Sequence, residues 1–450
     1  MTLNNKTSST YSRSDLEQLV SDVLRQAKDC GASQAEAGAG LESGLSLNVR
    51  MGEVETLEYQ RDRSFGVTVY FGHSKGSASS ADFSSQALKD TVQAACSIAR
   101  HTADDAAAGL ADAELMARGE LPDLDLCHPW DLEPEQAIEL ALTCENAARA
   151  FDPRIHNSEG AAVNTHRGLH VYGNSHGFLG AQERTQHTIS CAMLAREDGQ
   201  MQRDDWYTTA VSADALESPE AVGRRAAERT VQRLGSRRLS TRKAPVLFVP
   251  QLARGLIGHF LGAISGGAQY RQASFLLGAV DTQVFPEFIN ISERPHLPRA
   301  IGSAAFDAEG VATRDRELIA GGVLQNYLLN SYAARKLGLQ TTGHAGGVHN
   351  LVVADGAHSF DDLLKQMGTG LVATELMGQG VNGVTGDYSR GAVGFWVEDG
   401  AIAYPVEEIT IAGNLRDMYR GIVATGNDID LRGNVRTGSI LIESMTIAGE

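Results

Sequence analysis

The sequence predicts an α+β protein, with an N-terminal α/β layered domain followed by a β-rich C-terminal domain with few helices. Three observations carry this. In the first half, stretches with apolar residues at helical spacing alternate in blocks with stretches that alternate every second residue, as helices layered on hairpins do. Beyond residue 240 the two-residue alternation dominates. The chain of 450 residues also holds 48 glycines and only 6% aromatic residues, so its core leans on Val, Leu, Ile and Ala and its backbone on tight turns. That length exceeds the roughly 100–200 residues of one domain. A flexible terminus at 1–13 is expected, then domains at 14–240 and 241–450.

Taken in order, Leu16, Leu19, Val20, Val23, Leu24 and Ala27 form a helical stripe, with Gly31 as the stop. Leu45, Leu47 and Val49, a turn at Met51-Gly52, and then Phe65, Val67, Val69 and Phe71 read as hairpin strands. Helical spacing returns over 84–99 and again over 134–150, where Pro134 suits a first helical turn. Residues 155–210 are strand-like and punctuated by glycines. Ser218 then stands as the N-cap of a helix carrying Val222, Ala226, Val231 and Leu234. The polar, basic segment 233–243 marks the domain boundary. After it come a strand at 246–249 and a Gly-rich helical stretch at 252–264. β-structure is expected over 302–329, 350–354 and 371–447. Helices interrupt it at 331–337, stopped by Gly338, and from Ser359, with Asp362 in the capping-box position.

Composition excludes several function classes. Lys and Arg number 39 against 56 Asp and Glu, a net charge of −17 that repels phosphate backbones and anionic lipid, so neither nucleic acid nor membrane is expected as a partner. The apolar, uncharged stretch 255–270 is broken by glycines and falls short of the ~20 residues a span needs. The N-terminus lacks the apolar core of a signal peptide. Cys30, Cys96, Cys127, Cys144 and Cys191 are odd in number and scattered, without a Cys-x-x-Cys pair. This points to a reducing compartment and a cytoplasmic protein.

Several motif matches have plainer explanations. Gly173-Asn174-Ser175-His176-Gly177 spells a nucleophile elbow, but a strand rather than a helix follows it, so a hairpin turn is expected; a serine peptidase acting through Ser175 is the alternative. Gly378-Gln379-Gly380-Val381-Asn382-Gly383 spells a dinucleotide fingerprint without the helix that would receive a pyrophosphate. His166 and His170 lie four apart on a strand, which puts them about 13 Å apart, too far to share an ion. His344 and His349 bracket a glycine-rich loop that could line a cleft. His259 lies in an apolar helical stretch, with Phe260 where a hydrolytic zinc helix carries Glu and no second His one turn on.

The ordered segments Gly76-Ser77-Ala78-Ser79-Ser80, Tyr172 to Gly177, Arg238 to Pro245, Thr342 to Gly347, Glu375 to Gly380, Gly386 to Gly391 and Val423 to Asp428 are specific. Through them the chain resembles the TldD/PmbA family of bacterial peptidases, on its PmbA (TldE) side, from about residue 14 onward. The resemblance implies a zinc peptidase built from a TldD-type and a PmbA-type chain, enclosing a cavity for unfolded or flexible peptides. Leader-peptide removal and degradation of small proteins are the associated roles. In the TldD-type chain a helix supplies His-Glu-x-x-x-His, and a cysteine near the C-terminus is the third zinc ligand. Against that pattern His259 matches the first His, Phe260 replaces the Glu, Ile264 the second His, and Thr437 the Cys. The expectation is a chain that is not catalytic and binds no metal, with zinc held by a TldD-type partner. Pairing with itself is the alternative when that partner is absent, and a homomeric peptide-binding module without hydrolysis is the remaining alternative. Candidate cleft loops are those of His344, His349, Gly378, Gly380 and Asp387.

Overall fold

A computed structural model describes residues 11–354 and 356–449. Residues 1–10 of the expected flexible terminus lie outside the described residues, while Ser12 already caps helix α1 (Arg13–Asp29) through a capping box with Asp15. The chain is α+β, as its sequence predicts. Its first half builds one antiparallel six-stranded sheet in the order β3-β2-β1-β4-β5-β6. The strands are β1 (Gln34–Arg50), β2 (Glu53–Phe71), β3 (Ser74–Ser80), β4 (Ile155–Asn174), β5 (Leu179–Glu197) and β6 (Gln200–Ala210). Left-handed pairs turn two of the hairpins, Met51-Gly52 (φ 53° and 84°) and Asp198-Gly199 (φ 48° and 84°), and match the twist of the strands they join.

Helices α1 and α2 (Ser85–His101) cover one part of one sheet face, packing Leu16, Val20, Leu88 and Val92 on Phe65, Val67 and Val69. Helices α3 (Pro134–Arg149) and α4 (Pro219–Gln232) cover the rest of that face, over Leu45, Leu47, Val163 and Met193. Both begin with proline in the first turn, where its missing N–H costs nothing, and Ser218 caps α4. The opposite face is polar and carries Glu42, His166, Gly168, His170 and Tyr172. The outer edge of β2 pairs with β3 only over 65–71. Its remaining length is exposed and carries Glu53, Glu55, Glu58 and Asp62 beside a bulge, features that discourage edge-to-edge association.

The segment 233–241 is tied down at several points: Arg233 donates to Glu375 (2.6 Å), Ser236 to Glu407 (2.5 Å), and Leu239 is buried in the core that follows. Beyond it lie β7 (Arg242–Phe248), α5 (Pro250–Ala263), α6 (Gly266–Tyr270), β8 (Ile291–Glu293), β9 (Arg316–Ala320), β10 (Val323–Leu324), α7 (Ser331–Leu337) and β11 (Leu351–Val353). They are followed by α8 (Phe360–Met367), β12 (Gly370–Met377), β13 (Asp387–Glu398), β14 (Ala401–Asn414), α9 (Leu415–Arg420), β15 (Ile422–Thr425), β16 (Val435–Arg436) and β17 (Ile440–Ala448). One sheet runs β14-β13-β12-β7-β17-β15, and β14 also pairs with β17, closing a ring of five strands. Helix α5 packs on one side of this sheet against Val246, Phe248, Leu371 and Ile440, while α8 packs on the other against Leu247, Val372 and Leu441. A second sheet, β10-β9-β8-β11-β16, consists of short strands. Residues 302–329, expected as β, hold only β9 and β10 within long turns. Their apolar residues pack singly into loop cores such as that of Phe306 and Val311 rather than alternating along a ladder. Among the described residues no helix is long and apolar enough to cross a membrane.

Candidate functional site

Helix α5 has two unlike sides. Ala253, Leu256, Ile257, Phe260 and Ala263 are buried, whereas a methyl group added at Gly255, Gly258 or Gly262 would meet nothing within 4 Å. His259 stands half-buried beside those glycines, its ring 6.0 Å from that of Tyr388. Burial, and after it the charge of Arg390, holds its pKa below the usual imidazole value. Phe260 points the other way. Its ring is fully buried, 5.1 Å from Phe285 and 6.2 Å from Tyr419, both edge-on. Ile264 ends the helix, fully buried, and its N–H donates to the Phe260 carbonyl (3.1 Å). Thr437, also buried, donates its hydroxyl to the Gly438 carbonyl (3.1 Å).

A zinc site takes three protein donors and an open position at about 2.0–2.3 Å. The positions expected, from the resemblance, to match a TldD-type metal motif hold one imidazole, two hydrocarbon side chains turned into the core, and a hydroxyl spent on a backbone carbonyl. Zinc does not fit them. Among the described residues no group of three or more His, Cys, Asp or Glu could hold a metal ion.

Three neighbouring cavities that share lining residues form a row, or trough, that starts at His259. The first, about 420 Å³, is lined by Gly258, His259, Gly262, Gly378, Gln379 and Arg390. The second, about 570 Å³, shares Gly262 with it and adds Ser265, Tyr270, Arg271, His344, Val348 and Asn434. The third, about 680 Å³, shares Val348 and Asn434 with the second and reaches His349, Asp307 and the polar face of the N-terminal sheet at His170 and Tyr172. Gly378 thus lines the same cavity as His259, and His344 and His349 line the neighbouring cavities of the row. Gly380 and Asp387 do not line it. An added methyl at Gly380 would lie 2.0 Å from the Ser389 carbonyl, so this glycine lets its loop close on β13. Asp387 is exposed and clasps the same loop, accepting from Thr385 (2.6 Å) and Asn414 (3.2 Å), bonds that lower its pKa.

Sequence reasoning missed Glu293, which joins the two loop histidines. Its side chain is 3% exposed; Oε2 lies 2.8 Å from His344 Nε2, and Oε1 accepts the His349 N–H at 2.7 Å. Thr342 bonds the other nitrogen of His344 (2.8 Å). Burial alone would raise the Glu293 pKa, yet the hydrogen bonds from His344 and His349, with the charge of His344, hold it at about 2. Asp307 was missed as well. Burial raises its pKa to about 6, although the N–H groups of Ala345, Glu309 and Val311 stabilise the anion. The only sequence signal was an acid at an inward position of a short strand or turn.

Two of the plainer motifs are resolved. Ser175 lies in the turn between β4 and β5, where its N–H donates to the Ala35 carbonyl (2.8 Å) and its Oγ accepts the Ala35 N–H (3.1 Å). The strand–turn–strand context is that of a hairpin. His166 and His170 correct the expected separation: both reach the carboxylate of Glu42, His166 at 2.5 Å. Glu42 sits opposite Gly168, and an added methyl there would come within 2.7 Å of its Oε2. The missing side chain lets the carboxylate rise between the two rings, so α-carbon spacing did not decide their contact.

Comparison with known proteins identifies the family. Models described as PmbA/TldA metallopeptidase domain 1, central domain and C-terminal domain match residues 36–99, 127–234 and 241–449. The chain belongs to the PmbA/TldD metallopeptidase family. Similar relatives are Metalloprotease PmbA of Escherichia coli O157:H7, 52% identical over 97% of each chain, and a Metalloprotease PmbA homolog of Haemophilus influenzae, 49% identical over 97% of this chain and 96% of the relative. A solved structure from Bacteroides thetaiotaomicron, a candidate modulator of DNA gyrase, is 27% identical. It superposes with a TM-score of 0.92 over 96% of this chain and 99% of that one. Within a metallopeptidase family, the carbon-filled α5 of this PmbA/TldD chain is the feature that needs explaining.

Proposed function

We propose that this chain is the non-catalytic, PmbA/TldE-type subunit of a cytoplasmic two-chain zinc peptidase that cleaves unfolded or flexible peptides, as in leader removal and the degradation of small proteins. A TldD-type partner holds the zinc and the general base. The observation that carries this reading is α5. It keeps the family's helix and one histidine, while Phe260 and Ile264 stand in the core where a base and a second ligand are required. Metal-assisted hydrolysis needs a polarised carbonyl, an activated water and an acceptor for its proton; this chain's own residues supply none of these at α5. They supply walls instead. The trough from His259 to His349, with glycines open on α5, suits an extended chain that crosses the subunit without meeting a nucleophile.

Expressing the chain alone and together with a TldD-type chain, then following cleavage of an unfolded peptide, tests the proposal. Activity is expected only in the assembled pair, and there it should be lost on chelation. Chelator-sensitive hydrolysis by the isolated chain would overturn it.

A further inference from the structure

The trough has a sign. Charged residues lining its first two cavities are Arg390 and Arg271, with His259 beside Arg390; no Asp or Glu lines either, and His344, which lines the second, has its ring spent on Glu293 and Thr342. This occurs on a chain of net charge −17, where acids outnumber bases 56 to 39. Among the described residues neither arginine forms an ion pair. Arg390 donates to the Met377 and Leu376 carbonyls at 3.3 and 3.5 Å, long contacts that leave its charge uncompensated. Arg271 lies over the Tyr270 ring at 5.2 Å and meets that residue's hydroxyl at 3.2 Å. Gly258 lines the cavity of Arg390 and Gly262 lines both, and each presents bare helix with open space where a side chain would be. An extended backbone can therefore come close to α5 while its side chains reach Arg390 in one cavity and Arg271 in the next.

We propose that this half of the trough binds an acidic stretch of extended polypeptide, its carboxylates taken by Arg390 and Arg271. The inference rests on the peptide-trough reading above and adds the class of peptide. The third cavity breaks the pattern, since Asp307 lines it beside His349 and Arg184. Selectivity for carboxylates is thus confined to the segment along α5. Carboxylates could come from Asp and Glu side chains or from a chain terminus, and both offer the same planar acceptor to a guanidinium.

The test is fluorescence anisotropy with the full chain and labelled unstructured peptides of one length: neutral, acidic, basic, and neutral with a free or an amidated C-terminus. Tighter binding of the acidic peptide, weakening with salt, is expected. If the terminus is the source, the free-acid neutral peptide binds instead of its amidated form. Arg390→Gln and Arg271→Gln should each weaken carboxylate binding about tenfold. Gly262→Glu adds an acid where there is room for it, and at a helical position better suited to Glu than to Gly. It should weaken carboxylate binding at least as much, while Gly262→Gln of the same shape does so far less. Equal affinity for neutral-amidated and acidic peptides, unchanged by these variants, would overturn the carboxylate assignment and leave the peptide trough standing. Binding of no peptide at all would overturn both.

Discussion

Phe260 and His259 are neighbours in sequence, yet they should respond to truncation in opposite ways. Phe260 is 0% exposed and packs against Phe285 and Tyr419, in a core that also holds Val246, Phe248, Leu371 and Ile440 of the strands under α5. Truncation to alanine removes an aromatic ring from a closed site that cannot collapse around the gap, a change that costs about 3–5 kcal/mol. His259 lies half-buried at the trough wall, so His259→Ala should cost less than about 1 kcal/mol. Replacing Phe260 with Glu, the residue expected there in a TldD-type metal motif, adds the desolvation of an unpaired carboxylate among aromatic rings, a further several kcal/mol. Set against a typical total of about 5–15 kcal/mol, Phe260→Glu should leave the C-terminal half unfolded or aggregated. Urea unfolding, with hydrogen exchange read on peptides from α5, measures each variant. A Phe260→Ala variant within about 1 kcal/mol of the parent, or a folded Phe260→Glu variant, would refute the claim that this position serves packing rather than chemistry.

Other expectations are equally direct. Glu293 has a folded-state pKa depressed from 4.5 to about 2, so its contribution is present above the unfolded value and is lost as pH falls through the folded one. The parent should therefore lose about 3 kcal/mol more than Glu293→Gln between pH 5 and pH 2, measured as the difference in unfolding midpoints. Gly223 on α4 lies so close to α3 that an added methyl would sit 2.0 Å from the Cys144 carbonyl; Gly223→Ala should cost roughly 1–3 kcal/mol and lower the melting temperature by several degrees. Ser175→Ala removes one bond to the Ala35 N–H, so it should cost about 1 kcal/mol and leave peptide cleavage by the assembled enzyme unchanged.

What was legible in the sequence was local. Ser218 before Pro219 and Ser359 with Asp362 announce helix starts through bonds made within four residues, and Met51-Gly52 announces its hairpin through φ alone, whereas the Ser12–Asp15 box began inside the terminus expected to be flexible. The helix of α5 was legible as an apolar, Gly-rich stretch, but which of its residues face inward was settled only by packing on the sheet. What was hidden depends on distant partners. Glu293 meets His344 and His349 across more than fifty residues, and nothing in Ser292-Glu293-Arg294 tells an inward acid from a surface one. His166 and His170 were misjudged because Glu42, which they share, comes from another strand and needs the gap over Gly168. The trough likewise draws its walls from α5, two loops and the N-terminal sheet, elements that meet only on folding.

The central claim, that this chain shapes the peptidase without carrying its metal, is tested most directly by zinc content. Metal analysis of the purified assembly with a TldD-type chain should find one zinc per pair of chains, unchanged by His259→Ala, and none in this chain alone. Two zincs per pair, or loss of zinc from this chain on His259→Ala, would contradict it.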